Sequence, residues 1–204
     1  VVTILAGGRP KLLQETMHSL TPVLEVLPGA CVVTYLNQTD VASEAMLPEH
    51  AQVLRSSTGH LTPIGVGYSI LADAASDARW WLHIEDDWQA FQVDTTLACL
   101  REAANILEYH SDIVQVRLRY YKERVMQRHM VSGQPIRWQR RERFDVAAAH
   151  WTFNPAMQRG SVAAAFSVPL QGEDDAQRRV DGLVAQVFPG AFIHLGNHDS
   201  LRRR

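Results

Sequence analysis

Cysteine is scarce: only Cys31 and Cys99 occur in 204 residues, each in apolar surroundings. That excludes a disulfide framework and a cysteine zinc site, and leaves two buried free thiols as the expectation. No apolar run approaches the length of a membrane span, and no charged leader precedes an apolar stretch, so a soluble, cytoplasmic chain is expected. Charge of one sign is also lacking. A formal net charge of -2 excludes a general nucleic-acid binder. The dinucleotide fingerprint Gly-Xaa-Gly-Xaa-Xaa-Gly is absent, as are internal repeats and low-complexity tracts. What remains, 46% hydrophobic and 21% charged residues, is enough for one domain with a substantial core.

The apolar pattern alternates between strand-like and helix-like segments, the signature of an α/β sheet with crossover helices. Val1 to Ala6 reads as a strand. From Pro10, a favoured first-turn residue, Leu12, Leu13, Thr16, Met17 and Leu20 fall at helical spacing until Pro22 and Pro28-Gly29 break the helix. Ala30 to Leu36 is a second strand ending in Asn37-Gln38-Thr39-Asp40, and Gln52 to Leu54 is a short third. A helix is expected from about Gly65 to Asp77 and a strand over Trp80 to Ile84. Asp94 caps a helix carrying Leu97, Leu100, Ala104 and Leu107. Ile113 to Leu118 alternates like a half-buried strand with Val114, Val116 and Leu118 on one face. Ala147 to Phe153 can form another, and Trp151-Thr152-Phe153-Asn154-Pro155 sets an aromatic pair beside a polar turn.

The stretch with the most chemical content is Trp80-Trp81-Leu82-His83-Ile84-Glu85-Asp86-Asp87-Trp88, where an apolar run the length of one buried strand ends in three carboxylates. Carboxylates at the carboxyl end of a strand in an open α/β sheet project into the crevice where such sheets bind ligands. Hard oxygen donors there suit Mg²⁺ or Mn²⁺ carrying a substrate diphosphate. An acidic surface turn is the plainer alternative. A second acidic cluster, Gly172-Glu173-Asp174-Asp175, leads into a helix with Val180, Leu183, Val184 and Val187 at helical spacing, where Asp174 or Asp175 can also serve simply as a cap. The last strand, Ala191 to Leu195, carries His194, with His198 just beyond. Between these lies Arg119 to Arg143, with eight Lys or Arg against Glu123 and Glu142, a local balance of +6. It is either a solvated face or a lid or wall receiving an anionic ligand.

Taken in order, these features resemble the GT-A glycosyltransferases, particularly the family 2-like enzymes that use nucleotide-diphospho-sugars. The resemblance spans nearly the whole chain: Arg9-Pro10 leading into a helix ending Ser19-Leu20, the Asn37 to Asp40 turn, and Gly65-Val66-Gly67 opening the crossover helix. It continues through Glu85-Asp86-Asp87 in place of Asp-Xaa-Asp, Trp151 to Pro155, Glu173-Asp174 in place of the base motif, and a terminal Phe-Ile-His-Leu-Gly. It implies one α/β domain over 1–204, with a central mostly parallel sheet flanked by helices. A nucleotide-sugar half would cover about 1–88 and an acceptor and catalytic half about 89–204.

The resemblance further implies a hexosyltransferase-like enzyme that moves a sugar from a nucleotide-diphospho-sugar to a small-molecule or glycan acceptor with Mn²⁺ or Mg²⁺, with inversion. Asp87 and His194 (His198 second) would hold the metal. Glu85 would face the ribose or sugar, with Asp86 sharing either role. Asp174, with Glu173 close behind, would be the general base. Ala6, Gly7 and Arg9 would approach the nucleotide, Asn37 or Asp40 the base edge, Gly65 the donor, and Trp151 and Asn154 the acceptor. Asn37 stands where the family usually has Asp, which bears on base selectivity. Leu5-Ala6-Gly7-Gly8-Arg9 also resembles the opening of sugar-phosphate nucleotidyltransferases, but Pro10-Lys11-Leu12 follows at once and leaves no long phosphate-cradling loop. A non-catalytic sugar- or nucleotide-binding module is the third alternative.

Overall fold

A computed structural model describes residues 1–27, 29–37, 41–56, 62–121, 134–141, 143–148 and 151–195. Asp40, His198 and most of the basic segment's centre lie outside them. Val2–Ala6 forms β1, buried at every position, and Pro10–Glu25 forms α1. Val32–Leu36 (β2), the short helix Val41–Glu44 (α2), Gln52–Arg55 (β3) and Ile64–Ala74 (α3) follow. Next come Trp80–Glu85 (β4), Trp88–Ala90 (β5), Val93–Tyr109 (α4) and Ile113–Arg117 (β6). The second half holds Gln139–Arg141 (β7), Phe144–Ala148 (β8), Ala156–Arg159 (β9) and a 3-10 helix, Gly160–Phe166. Glu173–Arg179 (α5), Leu183–Gln186 (β10) and Phe192–His194 (β11) close it.

The described residues form a nine-stranded sheet in the order β3-β2-β1-β4-β9-β6-β10-β8-β7. β3, β2, β1 and β4 are parallel neighbours, and β6 and β10 are parallel. Only β9 and β8 run against the rest. Such a sheet must be covered on both faces, and alternation along β1 shows how. Ile4 packs with Leu13 and Met17 of α1 and Leu100 and Ile106 of α4, whereas Leu5 packs with Leu71 of α3 on the other face. Tyr68, Trp81, Trp151, Phe153 and Phe166 extend that second layer. A two-stranded sheet, β5 against β11, pairs His194 with Trp88 immediately past the acidic triplet. Among the described residues no helix is long and apolar enough to cross a membrane.

Several sequence expectations are corrected. Pro22 lies inside α1 rather than ending it. Burial of Leu20 and Val23 on either side carries the helix past the missing N–H, and Thr21 Oγ1 donates to the Met17 carbonyl at 2.8 Å. Asp94 sits in the first turn of α4, whose cap position is Gln92. β6 is buried at Ile113, Gln115, Val116 and Arg117, with Val114 its least buried residue, because neighbours flank it on both edges. Val180 to Val187 is not helix: α5 stops at Arg179, Val180 is extended, and Leu183–Gln186 pairs with β6 and β8. Strand pairing overrides a helical period that four apolar residues can mimic. Trp151–Phe153 is an irregular turn rather than the end of a strand. Cys99 is buried but Cys31, just before β2, is exposed.

Candidate functional site

Parallel pairing sets the carboxyl ends of β1 and β4 side by side, Leu5 opposite Glu85, so the three acids emerge beside Ala6 and Gly7. Their connections differ. Asp86 is fully buried and structural: Gly7 donates its N–H to Asp86 Oδ2 at 2.8 Å, Thr16 Oγ1 donates to the Asp86 carbonyl at 3.0 Å, and Arg9 closes an ion pair with Oδ1. Arg9 also reaches Asp87 Oδ2 at 2.9 Å. One guanidinium thus spans two carboxylates, and their field raises its pKa although burial works against it. His194 Nε2 lies 3.4 Å from that same Asp87 oxygen, while Asp87 Oδ1 is buried without a hydrogen-bond partner. Leu195 N–H donates to the Asp87 carbonyl at 2.7 Å, which locks β11 to the acid turn.

Glu85 faces elsewhere. It forms part of the wall of a cavity of about 590 Å³ also lined by Ile64, Phe153, Asn154 and the start of α5. Burial and then the neighbouring Asp87 push its pKa up to about 8. The Trp88 indole N–H, 3.4 Å away, fixes one of its oxygens. Trp88 was not singled out from sequence, although it directly follows the triplet. Its buried ring also packs against His194, with centroids 4.7 Å apart.

The start of α5 lines the same cavity. Its residues four apart lie on one face, and two of them clip the Trp151–Phe153 turn to the helix: Trp151 N–H donates to Gln177 Oε1 at 2.5 Å, Phe153 N–H to Glu173 Oε1 at 2.6 Å. Thr152 Oγ1 adds a third bond to Glu173 at 3.0 Å. From the sheet, buried Gln115 holds the same turn through Thr152 N–H and C=O at 3.1 and 2.9 Å. Glu173 is therefore committed to holding the turn. Asp175 accepts from Gln171 N–H at 3.1 Å and pairs with Arg179; the cap position of α5 is Gly172, with no side-chain cap bond, so both aspartates suggested as caps sit inside the first turn. Asp174 lines the cavity and makes no side-chain hydrogen bond or ion pair among the described residues.

Other residues singled out from sequence are placed as follows. The Asn37 carboxamide is engaged with Thr62, donating to its carbonyl at 2.9 Å and accepting its N–H at 2.8 Å. Gly65 packs where a Cβ would lie 2.2 Å from the Leu170 carbonyl oxygen. That explains glycine there by close approach of backbone. Trp151 is buried against Phe166 and lies off the cavity wall, where Phe153 supplies the aromatic surface. Asp87 and His194 are the oxygen and nitrogen donors suited to a divalent cation. No cluster of three or more His, Cys, Asp or Glu converges on one point among the described residues.

The architecture is the nucleotide-diphospho-sugar transferase (GT-A) fold. It is similar to TarS 1-349 from S. aureus, at 14% identity and TM-score 0.59, covering 95% of this chain and 59% of that one. The same TarS fragment solved in complex with UDP-GlcNAc matches at TM-score 0.57 and 14% identity, over 94% of this chain and 57% of that one. Mannose-1-phosphate geranyltransferase from Thermus thermophilus is similar over 100% of this chain and 79% of its own, at 10% identity and TM-score 0.61. The 4-diphosphocytidyl-2C-methyl-D-erythritol synthase of Anaerococcus prevotii matches over 98% and 94%, at 11% identity and TM-score 0.57. No protein-family profile and no curated protein sequence matches the chain.

Proposed function

We propose that this chain transfers a sugar from a nucleotide-diphospho-sugar to the hydroxyl of a small-molecule or glycan acceptor, with inversion at the anomeric carbon. The observation that carries the reading is the asymmetry of Glu173 and Asp174. One carboxylate is committed to the turn, and its neighbour faces a cavity with no partner of its own among the described residues. Asp174 takes the proton from the acceptor oxygen as that oxygen attacks the anomeric carbon, since a neutral hydroxyl is a poor nucleophile. Glu85, which lines the same cavity, hydrogen-bonds the donor sugar or ribose. Phe153 and Ile64 offer an apolar wall to a sugar ring.

Asp87 and His194 would hold Mn²⁺ or Mg²⁺. Two protein donors, one with a buried oxygen lacking a partner, suit a cation that completes its shell with diphosphate oxygens and water. Such an ion neutralises the departing diphosphate. The UDP-GlcNAc complex of structurally similar TarS supports nucleotide-sugar binding, and the synthase among the fold neighbours supports the competing reaction. Product analysis separates the two. Incubation with a panel of sugar nucleotides and Mn²⁺ is expected to release nucleoside diphosphate, slowly even without acceptor. Pyrophosphate formed from a nucleoside triphosphate and a sugar phosphate, with no diphosphate release, overturns the proposal.

A further inference from the structure

Arg119, at the start of the basic segment, has a setting that the mechanism above leaves unused. Its backbone is fixed against β11: Ala191 and Phe192 N–H both donate to the Leu118 carbonyl, at 2.7 and 3.0 Å, and Tyr120 N–H donates to the Phe192 carbonyl at 2.7 Å. Gly190 permits this approach. Its φ is +94°, and a Cβ there would sit 2.1 Å from the Arg119 carbonyl oxygen. Arg119 bridges Phe192 in parallel register, and Phe192 and His194 are alternate residues of one strand. Arg119 and His194 therefore share a face of the small sheet.

The side chain is held without being neutralised. Its guanidinium lies 5.5 Å from the Trp88 ring centroid and 5.4 Å from that of Tyr121. It makes no hydrogen bond or ion pair among the described residues. Two cation–π contacts hold the guanidinium beside both rings, and among the described residues its N–H groups have no hydrogen-bond partner. The same indole also packs against the His194 imidazole, so one ring is shared by His194, 3.4 Å from Asp87, and by a partly exposed cation that is unpaired among the described residues.

We propose that Arg119 binds the diphosphate of the donor, hydrogen-bonding its non-bridging oxygens and neutralising the charge that grows as the sugar departs. A planar fork matches phosphate oxygens bidentately, whereas a neutral sugar or base gains little from it. The inference rests on the proposed function for the identity of the anion. A purely structural Arg119, clamping Trp88 and Tyr121, is the alternative the experiment must exclude.

The test is calorimetry in Mn²⁺ buffer with the mono- and diphosphates of uridine, guanosine, cytidine and adenosine. Wild type, Arg119→Met and Arg119→Lys are compared, and folding is checked by thermal unfolding. Wild type is expected to prefer one diphosphate over its own monophosphate, Arg119→Met to lose at least tenfold in diphosphate affinity and most of that preference, and Arg119→Lys to fall between. A structural role would weaken both ligands alike. Equal diphosphate preference in wild type and a folded Arg119→Met protein overturns the inference, as does wild type binding none of the diphosphates. If Arg119→Met does not fold, the Lys variant decides: an undiminished preference there overturns the bidentate assignment. Parallel incubation with sugar nucleotides keeps the two readings apart. Arg119-dependent diphosphate binding without any sugar-nucleotide cleavage removes the transferase proposal and leaves Arg119 in place.

Discussion

His83 offers a quantitative check on the architecture beneath the site. It lies in β4 two residues before Glu85, fully enclosed, with its ring 4.5 Å from that of Tyr68. Thr3 Oγ1 accepts the Trp81 indole N–H at 2.6 Å, lies 3.5 Å from the Leu82 carbonyl to which it can donate, and shares a hydrogen bond of 3.0 Å with His83 Nδ1. His83 Nε2 is buried without a hydrogen-bond partner. Adding a second proton would place a charge among aromatic rings, out of reach of water. Burial accordingly drives the pKa down to about 3 from 6.5.

The unfolded chain takes up this proton as the pH falls through 6.5, and the folded chain does not until about 3. Stability is therefore lost on acidification across that window, at up to about 1.4 kcal/mol per pH unit. Between pH 7.5 and 5 the loss from His83 alone is about 2 kcal/mol, and it levels off near 5 kcal/mol at about pH 3. His83→Gln retains an acceptor for Thr3 but has no titrating group. Urea unfolding of both proteins at pH 7.5, 6 and 5 measures the difference, in which all other titrating groups cancel. Wild type should lose about 2 kcal/mol more than the variant over this range. Parallel stability–pH curves would show that His83 takes up its proton as readily when folded, and the closed aromatic cage would have to be abandoned.

Asp174→Asn should retain ligand binding and lose roughly two to four orders of magnitude in turnover, whereas Glu173→Gln, whose amide oxygen can still accept from Thr152 and Phe153, should stay active. Steady-state kinetics decides, and full activity in Asp174→Asn would end the base assignment. Asp87→Asn should abolish the metal-dependent part of nucleotide binding in calorimetry, because a carboxamide is a poor ligand for a hard cation; unchanged metal dependence in a folded variant refutes it. Gly65→Ala gains up to about 1 kcal/mol in helix propensity but forces a methyl against the Leu170 carbonyl. A net loss of roughly 1–3 kcal/mol is expected, and an unchanged melting temperature would count against the tight packing of α3 on that loop.

The alternating elements of the first half were legible because each is a separate amphipathic or buried run: β1, α1, β2 and β4 lie within a few residues of where the pattern puts them. The region after Asp174 was not. Val180, Leu183, Val184 and Val187 satisfy a helical spacing, and only the parallel partner β6, about seventy residues earlier in the chain, decides for strand. The same limit applies to the site. Which residues are acidic is visible in one dimension, but not that Asn37 binds Thr62 or that Trp151 turns into the core. Those outcomes depend on contacts made by a loop and by a helix distant in sequence.

Both acidic clusters divide their work by connectivity rather than by residue type. In the first, Asp86 receives the Gly7 N–H and the Arg9 fork, Asp87 shares Arg9 while keeping one oxygen unsatisfied, and Glu85 turns to the cavity with only a long indole contact. In the second, Glu173 holds the turn, Asp175 holds the start of α5, and Asp174 is left to the cavity. Asp174 keeps its lone pairs unengaged among the described residues, and its position is still fixed, because the helix that carries it is anchored by the residues on either side. The committed acids thus position the free ones: Asp86 sets where Asp87 and Glu85 emerge, and Glu173 with Gln177 sets where Asp174 stands.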